Sequence, residues 1–262
     1  MAQDEQEKTP EVAAAAAAAP ELEWLEDGVP RAARFDDTYF SRAGGRAETG
    51  HVFLAGNGLP ERWQGKSRFT IGELGFGTGL NLLATLALRQ DQPDPPHLTF
   101  LTVEAFPLTI AQLERAHAAF PELGDLACQL RLALAGARIG AGAHAGWHRM
   151  DLSGATLWLG LGDATVLVPE LAAGAAPPAL RAALPVDAWF LDGFAPSRNP
   201  ELWQPGLMQA VHAATAPGGS FATYTSAGWV RRGLAAAGFT VEKRKGFAGK
   251  RQMSVGWRGE VT

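Results

Sequence analysis

Glu73-Leu74-Gly75-Phe76-Gly77-Thr78-Gly79 is the stretch on which the reading of this chain turns. Phe69 to Leu74 is an apolar run of strand length, and Leu80 to Arg89 carries apolar residues at helical spacing. Between them lie three glycines spaced by two. They permit a tight turn and let backbone approach a ligand that a Cβ would repel. The spacing is not the G-x-G-x-x-G that cradles a pyrophosphate, and no Lys-Ser/Thr follows. A phosphate-binding P-loop is excluded, and a nucleotide dehydrogenase is left as a weaker rival.

Outward from that turn, strand and helix signals alternate. Leu98 to Val103 reads as a second strand ending at Glu104, Leu157 to Leu161 as a third, Val186 to Leu191 as a fourth ending at Asp192, and Ser220 to Tyr224 as a fifth. Helical patterns cover Leu108 to Phe120 (with Thr109 as a cap), a loose alanine-rich region from Val168 to Leu184, Pro205 to Ala214, and Trp229 to Ala237 closed by Gly238. Phe239 to Arg244 and Gln252 to Trp257 predict a terminal antiparallel pair. Such alternation predicts an α/β fold: a doubly wound, mainly parallel sheet with ligands at the carboxyl ends of its strands. Leu130 to Gly154 resists the scheme, and its glycines suggest hairpins or an insertion. Residues 1–20, with seven consecutive alanines and Pro20, read as a disordered tail. Residues 21–262 read as one domain, entered through a short hairpin at Leu22-Glu23-Trp24 and Asp27-Gly28.

At 262 residues and 47% hydrophobic content, the chain suits one α/β domain with embellishments. No apolar run approaches the roughly 20 residues that cross a bilayer. The acidic start lacks a secretory pattern, so a cytoplasmic location is expected. The single cysteine, Cys128, excludes an intrachain disulfide and a multi-cysteine metal site, and the six histidines lack metal-site spacing, so no metal is expected. Net charge is −4, but residues 1–27 hold eight acids against one base, which leaves the remainder at +3. A local basic patch is therefore compatible with the total, and Lys243, Arg244, Lys245, Lys250 and Arg251 around Gly246-Phe247 supply one. Five bases within nine residues on a strand turn suit a phosphate backbone, with Phe247 placed to stack beside a base. A solvated charged hairpin is the ordinary alternative.

The glycine turn resembles the first motif of class I (Rossmann-like) methyltransferases, where such a turn wraps the methionine part of S-adenosyl-L-methionine. In that fold an acid at the end of the second strand accepts the ribose hydroxyls, which matches Glu104. An acid after the third strand recognises the adenine amino group, which matches Asp163 in Gly160-Leu161-Gly162-Asp163. Each alone has a plain structural reading, as a strand-end or turn acid; their order along the chain is what carries weight. The resemblance implies that Glu73, Gly75, Phe76, Gly77, Thr78, Gly79, Glu104 and Asp163 hold the cofactor. Asp192-Gly193-Phe194-Ala195-Pro196 ends the strand that faces the transferable methyl group in such folds. A carboxylate there can orient an amine and hold the proton it sheds, behind an aromatic and proline wall. A helix-capping aspartate is the alternative.

That segment with Asn199-Pro200, together with Phe35-Asp36-Asp37-Thr38-Tyr39-Phe40-Ser41, Val52-Phe53-Leu54, Glu104-Ala105-Phe106-Pro107-Leu108, Thr225-Ser226-Ala227-Gly228 and Lys243-Arg244-Lys245-Gly246-Phe247, resembles the methyltransferase domain of the MnmC family, which also occurs alone as MnmD. The resemblance runs from about Leu22 to Gly256 and is loose over Leu130 to Gly154. It implies N-methylation of 5-aminomethyl-2-thiouridine at the wobble position of the tRNA anticodon, with Asp192 catalytic. Tyr39, Phe194, Pro196, Lys243, Lys245, Phe247, Lys250 and Arg251 are then the candidate substrate contacts. Bifunctional members add an FAD-dependent oxidase, for which 262 residues leave no room, so that partner is expected fused elsewhere or in trans. A small-molecule N-methyltransferase and a non-catalytic tRNA-binding module remain the rival readings.

Overall fold

The computed structural model describes residues 19–140 and 143–259. The tail expected over residues 1–20 thus falls, up to residue 18, outside the described residues. The strands are β1 (Leu22–Trp24), β2 (Pro30–Ala32), β3 (Asp37–Thr38), β4 (Arg68–Leu74), β5 (His97–Glu104), β6 (Gly146–Leu152), β7 (Ala155–Leu161), β8 (Val186–Leu191), β9 (Thr215–Thr223), β10 (Phe239–Lys245) and β11 (Gln252–Arg258). The helices are α1 (Gly45–Thr49), α2 (Leu80–Gln90), α3 (Ile110–His117), α4 (Gly124–Gly136), α5 (Ala164–Ala172), α6 (Pro178–Arg181), α7 (Pro205–Ala214) and α8 (Gly228–Ala236).

Eight strands form one sheet in the order β10-β11-β9-β8-β4-β5-β7-β6. The inner five pair in parallel, and β6, β11 and β10 pair antiparallel at the two edges. Side chains alternate across it. Phe69, Ile71, Phe100, Leu157 and Phe190 face one buried layer with α2, α3 and α4, while Leu74, Leu101, Val103, Trp189 and Leu191 face the other with α5, α7 and α8. Burial on both faces explains why the central strands read as nearly continuous apolar runs. The mainly parallel sheet and its terminal antiparallel pair are as the sequence predicts.

The chain runs outward from β4 through β5 to β7, then returns to β8 on the other side of β4. This reversal opens a crevice at the carboxyl ends of β4, β5 and β8, which is where the glycine turn, Glu104 and Asp192 lie. A separate three-stranded antiparallel sheet, β1-β2-β3, precedes it. It is tied to the rim of the large sheet by the Ala195 amide, which donates to Asp37 Oδ2 at 2.8 Å.

Three expectations need correction. The difficult stretch from Leu130 to Gly154 does hold a hairpin, as β6 folds back on β7, but it begins with the second half of α4, which the sequence did not show. The alanine-rich region begins earlier than expected, as α5 starts at Ala164 behind its Asp163 cap. Helix α3 is shorter than Leu108 to Phe120: the reciprocal capping box of Thr109 and Gln112 fixes its start at Ile110, and it ends at His117, ahead of Pro121.

Candidate active site

The turn after β4 owes its shape to its glycines. Gly75, Gly77 and Gly79 all have left-handed φ, at 80°, 53° and 73°. A Cβ on Gly75 would sit 3.2 Å from the Gly193 Cα, so the ends of β4 and β8 approach backbone to backbone. A Cβ on Gly77 would sit 3.1 Å from the Tyr39 ring. The turn is anchored from below by His117, whose Nε2 donates to the Thr78 carbonyl at 2.8 Å while Nδ1 accepts from Arg131 at 3.1 Å. That pairing requires a neutral ring, and burial lowers the His117 pKa accordingly.

Beside the turn lies a cavity of about 910 Å³, lined by segments distant in sequence: Phe35 to Arg42, Glu48 and Thr49, Gly75 to Thr78, Val103 to Phe106, Gly162 to Ala164, Asp192 to Ala195, and Tyr224 with Lys250. The Glu104 carboxylate is oriented by backbone: the Gly77 amide donates to Oε2 and the Phe106 amide to Oε1, both at 2.8 Å. Burial nevertheless raises its pKa. Each oxygen keeps a second acceptor site directed elsewhere. Asp163 stands exposed at the cavity edge and caps α5, with Oδ1 accepting from the Thr165 amide at 2.8 Å.

Asp192 is half-buried at the end of β8, and burial pushes its pKa up to about 7, with Glu48 adding to the rise and Asn81 and Lys250 opposing it. Its Oδ2 accepts from Asn81 Nδ2 at 2.7 Å. An aromatic wall stands next to it: Phe194 stacks on Phe35 (centroids 4.6 Å apart, planes at 23°) and meets Tyr39 edge-on at 5.3 Å. The Tyr224 hydroxyl donates to the Gly193 carbonyl at 3.0 Å, steadying the same loop. Lys250 reaches in over the Tyr224 ring and pairs with Glu48 at 2.7 Å.

Of the residues singled out in the sequence, Gly75, Phe76, Gly77, Thr78, Glu104, Asp163, Asp192, Phe194, Tyr39 and Lys250 line this one cavity. Gly79 and Pro196 pack just outside its wall. Glu73 is 1% exposed and sits behind it, with Oε1 accepting from Asn81 and Oε2 from the Thr102 hydroxyl. Lys243, Lys245 and Arg251 project into solvent from the β10–β11 turn, and Phe247 packs beside His51 at 6.0 Å. Sequence reasoning missed Asn81, Thr49, Glu48 and Tyr224. Only Asn81 left a trace, as a lone amide among the leucines that open α2.

Residues 139–259 match the family described as S-adenosyl-L-methionine-dependent methyltransferase. The chain is 46% identical over 242 residues to the tRNA 5-methylaminomethyl-2-thiouridine biosynthesis bifunctional protein MnmC of Ectopseudomonas mendocina, covering 90% of this chain and 34% of that protein. It is also 46% identical, over 241 residues, to the MnmC protein of Caulobacter sp. strain K31, covering 88% of this chain and 37% of the relative. The chain thus spans about a third of the length of the curated relatives it matches. Among solved structures, MNMC2 from Aquifex aeolicus superposes with a TM-score of 0.65 at 20% identity, over 93% of this chain and 71% of that one, which establishes the shared fold. Among the described residues, no helix is long and apolar enough to cross a membrane.

Proposed function

We infer, from the match of residues 139–259 to an S-adenosyl-L-methionine-dependent methyltransferase family and from the 46% identity to MnmC proteins, that the chain methylates the exocyclic amine of 5-aminomethyl-2-thiouridine at the tRNA wobble position, giving 5-methylaminomethyl-2-thiouridine. The observation that carries this reading is the convergence of the glycine turn, Glu104 and a half-buried Asp192 of near-neutral pKa on one cavity. The cavity fits the methyl donor: it opens beside a turn whose glycines present backbone without side chains, and Glu104 is held with lone pairs to spare. When bound, that cofactor supplies a methyl group on a positively charged sulfur.

The residues then divide the work. Gly75, Phe76, Gly77 and Thr78 pass around the methionine part, Glu104 accepts the ribose hydroxyls and Asp163 reaches the adenine amino group, with Gly79 and buried Glu73 shaping the turn from behind. Phe194 and Tyr39, backed by Phe35 and Pro196, form the flat wall for the uracil ring and exclude water. Asp192 orients the amine and takes the proton that its nitrogen releases as the N–C bond forms. A carboxylate titrating near neutrality is matched to that task, being ionised beforehand yet basic enough to accept. Alignment of two reactants in such a pocket can supply ~7–11 kcal/mol of the barrier. Lys243, Lys245 and Arg251 meet the anticodon phosphates, with Phe247 beside a splayed base, while Lys250, which the sequence grouped with them, serves the cavity beside Asp192. The substrate amine is supplied by an FAD-dependent oxidase activity, fused or in trans, in the cytoplasm.

The test is mass spectrometry of nucleosides after tRNA bearing the free amine is incubated with the chain and the methyl donor. One methyl group on the wobble nucleoside is expected. Tight tRNA binding without product would support a non-catalytic module instead, and methylation of a small amine with tRNA inert would support a metabolite enzyme.

A further inference from the structure

Asn81, in the first turn of α2, is 7% exposed and has both polar atoms of its side chain committed. Its Nδ2 donates one proton to Glu73 Oε1 at 2.9 Å and the other to Asp192 Oδ2 at 2.7 Å. Its Oδ1 accepts from the Thr49 hydroxyl at 2.7 Å. The amide cannot flip, because its oxygen would then face two carboxylates and the Thr49 hydroxyl would lose its acceptor.

One nitrogen therefore bridges two carboxyl groups in a largely apolar interior, where both cannot comfortably carry charge. The two are not equivalent. Glu73 is sealed from solvent, and a proton on its Oε2 falls on the Thr102 hydroxyl, which can accept as well as donate. Asp192 opens on the cavity, where Lys250 acts on it as an opposing charge. The other groups acting on or beside the pair are Glu48 from α1, Glu104 from β5, and Tyr224, which Asp37 also influences.

We propose that Asn81 is a positioning residue for methyl transfer: it clamps Asp192 to the fixed wall and stabilises its charged form, while the seal around Glu73 leaves the pair's negative charge on Asp192, the member facing the substrate amine. Thr49 acts one step behind, locking the amide in the orientation that makes this possible. Burial acts in the same sense, holding Glu73 well above the usual carboxylate range. This inference rests on the functional reading above for its purpose, though not for its measurement.

The experiment is a carbon-13 NMR titration of the side-chain carboxyl carbons, with Asp192 identified by loss of its signal in D192N. In N81L, which keeps the volume and removes both donors, the Asp192 midpoint should rise by about one pH unit or more, as loss of a hydrogen bond to the charged form dictates. In T49V the shift should have the same sign and be smaller. The acid limb of the kcat profile should move with the NMR midpoint in both variants. A merely structural role would lower kcat equally at every pH and leave the midpoint in place. An unmoved midpoint in folded N81L, or in T49V should N81L fail to fold, overturns the proposal. Because the titration needs no turnover, a chain inactive on tRNA would sink the functional reading and leave this one standing.

Discussion

Replacing Asp192 with Asn should stabilise the protein at neutral pH while removing its activity. The carboxyl rises from an ordinary 3.8 to about 7 on folding. A folded-state pKa above the unfolded one means that the native protein holds this proton more tightly. Below 3.8 the group is protonated in both states and costs nothing; as pH climbs towards 7, the unfolded chain ionises freely and the native state loses ground. At ~1.4 kcal/mol per unit, a shift of roughly three units costs roughly 4 kcal/mol once pH exceeds 7. That figure is a ceiling, since one flank of Asp192 faces the cavity. Asparagine cannot ionise, yet its carbonyl can still accept from Asn81. Urea unfolding of D192N and the parent from pH 4 to 8 should therefore give equal stabilities at the acid end and a variant more stable by up to that ceiling at pH 8. Turnover should fall much further than cofactor affinity. A stability difference constant across the range would refute the reasoning, because it would show no proton uptake linked to Asp192.

Gly77→Ala puts a Cβ 3.1 Å from the Tyr39 ring at φ 53°, so calorimetry should show cofactor binding weakened about tenfold with little change in melting; unchanged affinity would remove the turn from the site. Glu104→Gln loses a charged acceptor, and cofactor affinity should drop by about 10- to 100-fold, the scale of a charge-assisted hydrogen bond. Combined neutralisation of Lys243, Lys245 and Arg251 should flatten the salt dependence of tRNA binding by about two to three units of slope, and an unaltered slope would take the β10–β11 turn out of the footprint. Gly72→Ala would press a Cβ within 2.6 Å of the fully buried Trp189 ring; a loss of about 1–3 kcal/mol in chemical denaturation is expected, and a neutral result would mean that the two central strands are less closely packed than described.

The central strands were legible because each is a buried apolar run cut off by glycine or by an acid, and a parallel sheet buried on both faces demands that pattern. The carboxylates Glu104 and Asp192 were legible for the same reason: each closes an apolar run at the end where ligands bind. Helix α4 was not, because it starts without a side-chain cap and is bracketed by Gly124 and Gly136, which read as turn residues. The segment Gly50–Leu54 folds as a π-helix, whose spacing leaves no 3.6-residue signature, so α1 with Glu48 and Thr49 had no sequence cue. Lys250 looked like one base in a cluster of five. Its separation from the others is tertiary, made by an ion pair to Glu48, 202 residues away. Asn81 illustrates the general limit: an amide in the first turn of an apolar helix reads as a polar interruption until two carboxylates from other strands are found beside it.

The convergence of separate chain segments on one methyl-transfer cavity is tested most directly by a crystal structure with S-adenosylhomocysteine bound. The ribose hydroxyls should rest on Glu104, and the thioether sulfur should face Asp192 and the Phe194 wall across open space. A ligand whose sulfur points away from Asp192, or one bound outside this cavity, would contradict the account.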